Sequence, residues 1–139
     1  MTEVGQGQIL ADTSAWVEYD RATGSAVDHR LRDLIAADAP LAITEPVLME
    51  VLAGARSDER EADLRRLLLR FRMLPLETPT DFEGAASVYR RCRAAGVTPR
   101  GLVDCMIAAV AQRSGASILS QDADQARVAD VIGVELDRA

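Results

Sequence analysis

Short apolar runs alternate with amphipathic stretches along the chain, and that alternation predicts its elements. Ile9-Leu10-Ala11 reads as a first strand. The cluster Asp12-Thr13-Ser14 behind it starts a helix through about Tyr19, since short polar side chains there can accept the free N–H groups of a first turn. A second helix begins at Ser25, with Val27, Leu31, Leu34 and Ile35 recurring at helical spacing. Leu41-Ala42-Ile43 is the next strand, and Thr44 caps a third helix that tolerates Pro46 in its first turn and ends near Gly54. Ser57 opens a charged helix in which Asp58, Glu59 and Glu61 come early and Arg65, Arg66, Arg70 and Arg72 late, an order that suits the helix dipole. Met73-Leu74-Pro75-Leu76 resembles a short strand, and Thr80 with Glu83 predicts a capping box for a helix ending near Gly96. Pro99-Arg100-Gly101 leads into a helix to about Arg113, closed by Gly115. Ser117-Ile118-Leu119 is a further strand, a short helix follows Asp122, and Val134-Glu135-Leu136 is a possible edge strand.

Apolar strands separated by helices are the mark of an α/β fold. The expectation is one domain over 9–139, with a central, mostly parallel sheet of about four or five short strands and helices on both faces. Residues 1–8 carry two glycines and no apolar pattern, and read as a flexible lead-in. At 139 residues the chain can bury a core without disulfide staples. Cys92 and Cys105 fit no zinc or redox spacing and read as small buried hydrophobes. No apolar run reaches the length of a membrane span, and MTEVGQGQ lacks the basic start and apolar stretch of a secretion signal, so a cytoplasmic protein is expected.

Charge and residue choice narrow the chemistry. His29 is the only histidine and lies in the polar run Asp28-His29-Arg30, which excludes a histidine-rich metal site and argues against a Ser–His–Asp triad. All 16 basic residues are arginine, so P-loop, Schiff-base and catalytic-lysine chemistry are excluded. The net charge of −6 argues against bulk attraction to nucleic acid. Arg100 and Arg113 flank one helix and read as surface or capping residues rather than phosphate contacts.

Four carboxylates stand in telling places. In open parallel sheets ligands bind beyond the carboxyl ends of the strands. Asp12 directly follows the first strand and Asp122 follows the strand at 117–119, although either could simply cap a helix. Glu50 sits in a helix among Val47, Leu48, Met49, Val51 and Leu52, where a charge is unfavourable unless paired with an arginine or bound to a metal. Asp104 falls in a first helical turn between Leu102-Val103 and Cys105-Met106-Ile107, where dipole compensation is the plainer explanation. Four acids converging on one sheet edge form a hard oxygen site suited to Mg²⁺ or Mn²⁺. Such an ion supports phosphodiester hydrolysis without any histidine.

These motifs resemble the PIN-domain family, and specifically the VapC-type toxins of bacterial toxin–antitoxin pairs. The resemblance runs from about Ile9 to the C-terminus through ILADTSAW, ITEPVLMEVLAGAR, GLVDCMIAAVA and ILSQDADQARVA. It implies Asp12 and Asp104 as principal metal ligands, Glu50 and Asp122 as completing acids acting directly or through water, and Ser14 as a polar helper. Asp124 competes with Asp122 for the fourth position. One departure is Gln125, where family members often carry an aromatic residue. The implied function is that of a toxin, a Mg²⁺- or Mn²⁺-dependent endoribonuclease held inactive by a cognate antitoxin, forming homodimers and toxin–antitoxin assemblies. A non-catalytic PIN-like module that binds RNA or protein is the alternative. An aspartate-nucleophile phosphatase or a receiver domain would need the lysine this chain lacks.

Overall fold

The computed structural model describes residues 7–138. In chain order the elements are β1 (Ile9–Ala11), α1 (Thr13–Arg21), α2 (Ala26–Ala36), β2 (Leu41–Ile43), α3 (Glu45–Ala53), α4 (Asp58–Leu68), β3 (Arg72–Met73), α5 (Thr80–Ala94), α6 (Leu102–Ser114), β4 (Ser117–Leu119) and α7 (Ala123–Ile132). The strands form one parallel sheet in the order β3-β2-β1-β4, as the α/β reading requires. Leu10 lies opposite Ala42 on one side and Ile118 on the other. Leu10, Ala42, Ile43, Ile118 and Leu119 are fully buried, which is why these strands read as continuous apolar runs and not as alternating ones.

The connections β1→β2→β3 step outward in one direction, whereas the connection to β4 returns across the sheet to the other side of β1. Right-handed crossovers therefore place α1–α4 on one face and α5–α6 on the other. The strand order thus reverses at β1, whose neighbours β2 and β4 lie on opposite sides, and a crevice opens at the carboxyl ends of β1 and β4. The Asp12 N–H donates to the Leu119 carbonyl at 3.0 Å, pinning the two strand ends together at that point.

Several local expectations give way to tertiary contacts. Helix α1 runs on to Arg21, two residues past Tyr19, and stops where Ala22 turns left-handed at φ 50°. The Thr80–Glu83 capping box does not form: α5 starts without a side-chain cap, and the Asp81 carboxylate accepts the Glu77 N–H instead, at 2.7 Å. Thr44 sits at the start of α3 but its hydroxyl caps nothing. The strand expected over 73–76 shifts to Arg72–Met73, because Pro75 has no N–H to continue the ladder; the Leu74 N–H still reaches the Ile43 carbonyl. The edge strand at 134–136 shrinks to a single bridge between Leu136 and Ile118. The Arg30 guanidinium fastens that tail by gripping both oxygens of Asp137 at 2.8 and 2.9 Å.

Of the lead-in expected over 1–8, residues 1–6 lie outside the described residues, while the Gln8 carbonyl already accepts the Ser117 N–H. Cys92 and Cys105 are buried free thiols, and burial pushes both above the ordinary thiol range, Cys105 to about 11. His29 is exposed on α2. Among the described residues no helix is long and apolar enough to cross a membrane.

Arg113, at the end of α6, is a structural clamp. Its Nε and Nη2 donate to the two oxygens of Asp81 at 2.9 and 2.8 Å, and Nη2 also reaches the Pro75 carbonyl at 2.8 Å. Burial of Asp81 would by itself raise its pKa; the Arg113 bonds and the Glu77 N–H outweigh burial and hold the carboxyl below its ordinary 3.8. Breaking such a pair from one side leaves a buried charge unmatched, at about 3–5 kcal/mol. Arg113→Ala should lose stability on that scale in urea unfolding at pH 7. A depressed carboxyl stabilises the fold above its unfolded pKa and stops doing so as pH falls through the folded one. The deficit of the variant should therefore narrow below about pH 4, near the unfolded carboxylate value; a deficit independent of pH would show that the ion pair is not its source.

Candidate active site

The crevice between β1 and β4 is a cavity of about 490 Å³ whose wall includes Asp12, Thr13, Ser14, Glu50, Arg100, Asp104 and Asp122. All four acids singled out in the sequence thus meet in one place. Four different local structures deliver them. Asp12 caps α1, Glu50 lies on α3, Asp104 is in the first turn of α6, and Asp122 caps α7. Asp124 stands apart from the cavity wall and pairs with Arg127 at 3.0 Å.

For Asp12 and Asp122 the capping and functional readings are compatible. Asp12 Oδ1 accepts the Ala15 N–H at 3.1 Å, and Asp122 Oδ1 accepts the Asp124 N–H at 2.9 Å. Each cap uses one carboxylate oxygen, and the helix N-terminus favours the negative charge. Glu50 has no arginine partner among the described ion pairs; instead the Thr13 hydroxyl donates to its Oε1 at 2.6 Å. It sits on the crevice wall and not in the core that its apolar neighbours suggested, and Met49 beside it is itself exposed. Ser14 donates to Asp12 Oδ1 at 2.6 Å and accepts the Gln121 N–H at 2.9 Å, so one hydroxyl ties the end of β1 to the loop after β4. The Ser120 hydroxyl lies 3.2 Å from that of Ser14 and helps to hold down the pKa of Asp12.

Crowded acids resist ionisation. Burial raises the pKa of Asp12 above 3.8, opposed by the Ser120 and Ser14 hydroxyls and the Ala15 N–H, with Asp122 adding repulsion. Asp104 is pushed up to about 6, first by burial and then by the charges of Asp122, Glu50 and Asp12, with Arg100 pulling the other way. Those three carboxylates acting on a fourth are a direct sign that the group shares one field. A hard divalent cation relieves that repulsion as protonation does, and an all-oxygen donor set is the kind it selects. The fit is therefore good in chemistry. In geometry the cluster is open: among the described residues no three such side chains already stand in chelating array, and Glu50 and Asp122 are engaged by Thr13 and Arg100.

Sequence reasoning overlooked Thr13 and Ser120, whose hydroxyls carry no pattern of their own until the sheet brings them beside acids. It read Arg100 as a surface residue, which its 67% exposure bears out, but missed that the guanidinium lies 3.0 Å from Asp122 Oδ2 in the cavity wall. Gln125, the departure from the family pattern, is 1% exposed, and its Nε2 donates to the Asp104 carbonyl at 3.1 Å. It fastens α7 to the first turn of α6, filling with an amide contact the place where an aromatic side chain was expected.

The family model "PIN domain" matches residues 9–131. The chain is 47% identical over 117 residues to ribonuclease VapC11 of Mycobacterium tuberculosis, an alignment covering 84% of this chain and 87% of the relative. In fold it resembles VapBC2 from Rickettsia felis bound to a DNA fragment from their promoter, with a TM-score of 0.73 at 16% identity over 94% of this chain and 97% of that one. It also resembles VapBC-5 of the VapBC family of toxin–antitoxin systems from Mycobacterium tuberculosis, with a TM-score of 0.68 at 20% identity over 96% of this chain and 99% of that one. With four acids gathered at the carboxyl edge of a β3-β2-β1-β4 sheet and this likeness along nearly its whole length, the chain belongs to the PIN-domain family and, within it, to the VapC ribonucleases.

Proposed function

We propose that this chain is the toxin of a toxin–antitoxin pair, a cytoplasmic endoribonuclease that hydrolyses RNA phosphodiester bonds with Mg²⁺ or Mn²⁺ at the Asp12–Glu50–Asp104–Asp122 crevice. The observation that carries the reading is the convergence of the four carboxylates on one cavity, where burial first and then the charges of the other three acids push Asp104 up to about 6. A site so negative repels an RNA phosphate unless a cation is present. Asp12 and Asp104 hold that cation; Glu50 and Asp122 complete the set directly or through water. Asp122 is favoured over Asp124 as the fourth acid by its place in the cavity wall. The bound ion supplies an acidified water and countercharge for the phosphoryl oxygens. Ser14 orients Asp12 and opposes the rise of its pKa, and Thr13 orients Glu50 through its hydroxyl bond. A cognate antitoxin is the partner, by likeness to the VapBC assemblies, with homodimers and toxin–antitoxin hetero-oligomers as the working forms. The presence of all four acids weighs against a module that only binds RNA or protein.

Asp12→Asn tests the reading at its centre. Asparagine is an equally good helix cap and still accepts from Ser14, so the fold should persist. RNA cleavage measured with Mg²⁺ or Mn²⁺ should fall by more than about a hundredfold, roughly 2.7 kcal/mol of barrier. Full activity in that variant, with an unchanged circular dichroism spectrum, would exclude Asp12 as a metal ligand.

Asp104→Asn tests the electrostatics. A carboxyl raised from 3.8 to about 6 in the fold binds its proton more tightly there than in the unfolded chain. Its contribution is fully present below the unfolded value and lost as pH rises through the folded one. In a chelator, Asp104→Asn should therefore melt above wild type at pH 7.5, and the gap should close towards pH 4. Mn²⁺ at pH 7.5 should raise the Tm of wild type and do little for the variant. Equal melting curves, with and without metal, would contradict the shared cation site.

A further inference from the structure

Arg100 is the one cationic side chain in the wall of the acidic cavity. It lies in the segment between α5 and α6, just before Gly101, the N-terminal cap of α6. Its Nη2 is 3.0 Å from Asp122 Oδ2 and its Nε 4.0 Å from Asp124 Oδ2. Asp122 is nearly buried, at 11% side-chain exposure, while Arg100 is open at 67%. The carboxylate is thus fixed by its cap bond to the Asp124 N–H, and the arginine is the movable partner. Arg100 also lines a second, more open depression with Tyr89, Arg90, Pro99 and Leu102. The guanidinium therefore stands on a rim between the acidic crevice and a groove that contains another arginine and no acid.

Building on the cation site proposed above, we infer that Arg100 is a built-in counter-ion with two stations, a positioning residue for the cleavage reaction. Without metal it offsets the charge of Asp122, its Nη2 lying 3.0 Å from Oδ2 in the wall shared by the four acids. A divalent cation drawn to Asp122 competes with the guanidinium for Oδ2, and its charge repels the guanidinium. Entry of the cation releases Arg100 towards the groove, where it meets the RNA phosphate next to the scissile one. The exchange couples the two steps: the acidic site gains its metal as a phosphate-binding cation becomes available at its mouth. A planar guanidinium suits both stations, since it pairs with carboxylate and phosphate alike.

The test compares wild type, Arg100→Gln and Arg100→Lys. Arg100 is exposed, so folding should be unaffected, which the melting temperature checks. Mn²⁺ binding without RNA, followed by the electron paramagnetic resonance of the free ion, should be tighter in Arg100→Gln by about threefold or more, the scale of a partly exposed ion pair. Arg100→Lys, which keeps the charge, should bind Mn²⁺ close to wild type. With the RNA used to establish cleavage, Arg100→Gln should raise KM more than it lowers kcat. The dependence of log KM on log salt should flatten by about 0.7, the loss of one contact to single-stranded phosphate. Unchanged or weaker Mn²⁺ affinity in Arg100→Gln, or an unchanged KM and salt slope, overturns the two-station role while leaving the metal site standing. Absence of any Mn²⁺ binding by wild type overturns the cation site itself and this inference with it.

Discussion

Like charge brought to one point is the constraint around which the rest of this molecule is arranged. Two carboxylates a few ångströms apart in a partly dry crevice interact more strongly than the same pair in water. Here four share a field, with Asp104 responding to the other three. The fold meets that demand with several small compensations. Helix N-termini at Asp12, Asp104 and Asp122 supply partial positive charge, hydroxyls from Ser14 and Thr13 donate to the carboxylates, and Arg100 supplies a full charge. None neutralises the cluster, and that residue of repulsion is what the proposed divalent cation would relieve.

The compensations work only if the elements bearing them cannot drift. The strands are two or three residues long, too short to hold a sheet alone, so rigidity comes from what flanks them. Trp16 anchors α1 in the core, its ring centre 5.8 Å from that of Tyr19 and 5.4 Å from that of Phe71. Arg113 locks the far end of α6 to Asp81 and Pro75, while Gln125 locks its first turn to α7. Asp104 is thereby held between two fixed points. On the other side of the crevice, Ser14 and the Asp12 backbone bind the end of β1 to the loop and strand of β4. Charged and polar ties thus appear on both the functional and the structural side of the same helix, with opposite burial: Asp81 is sealed with its arginine, whereas Arg100 pairs with Asp122 from an exposed position.

Much of this was written in the local pattern. Apolar runs located every strand at least approximately, because a strand buried on both faces has no polar alternation to confuse it. The caps Asp12, Ser25, Ser57 and Asp122 marked helix starts correctly, because a side-chain bond to an N–H two or three residues away depends on nothing distant. The four acids were recognisable because a carboxylate at a strand end or among apolar residues demands a reason wherever it falls. The capping box at Thr80 failed because α5 starts one residue earlier than the box requires: Pro79 is the N-cap and Thr80 already the first helical residue.

What the sequence determined by itself was therefore the fold class, the acids and their separate surroundings, since these follow from short-range periodicity and from the cost of burying charge. What only the tertiary structure decided was who meets whom. Ser14 and Ser120 are 106 residues apart, and Thr13 and Glu50 are 37 apart, and no local rule links them. Glu50 received a hydroxyl and not an arginine, Asp122 received Arg100, and Arg113 turned inward as a clamp. Those pairings depend on the order β3-β2-β1-β4, which sets β4 beside β1 and so opens the crevice where the strand order reverses.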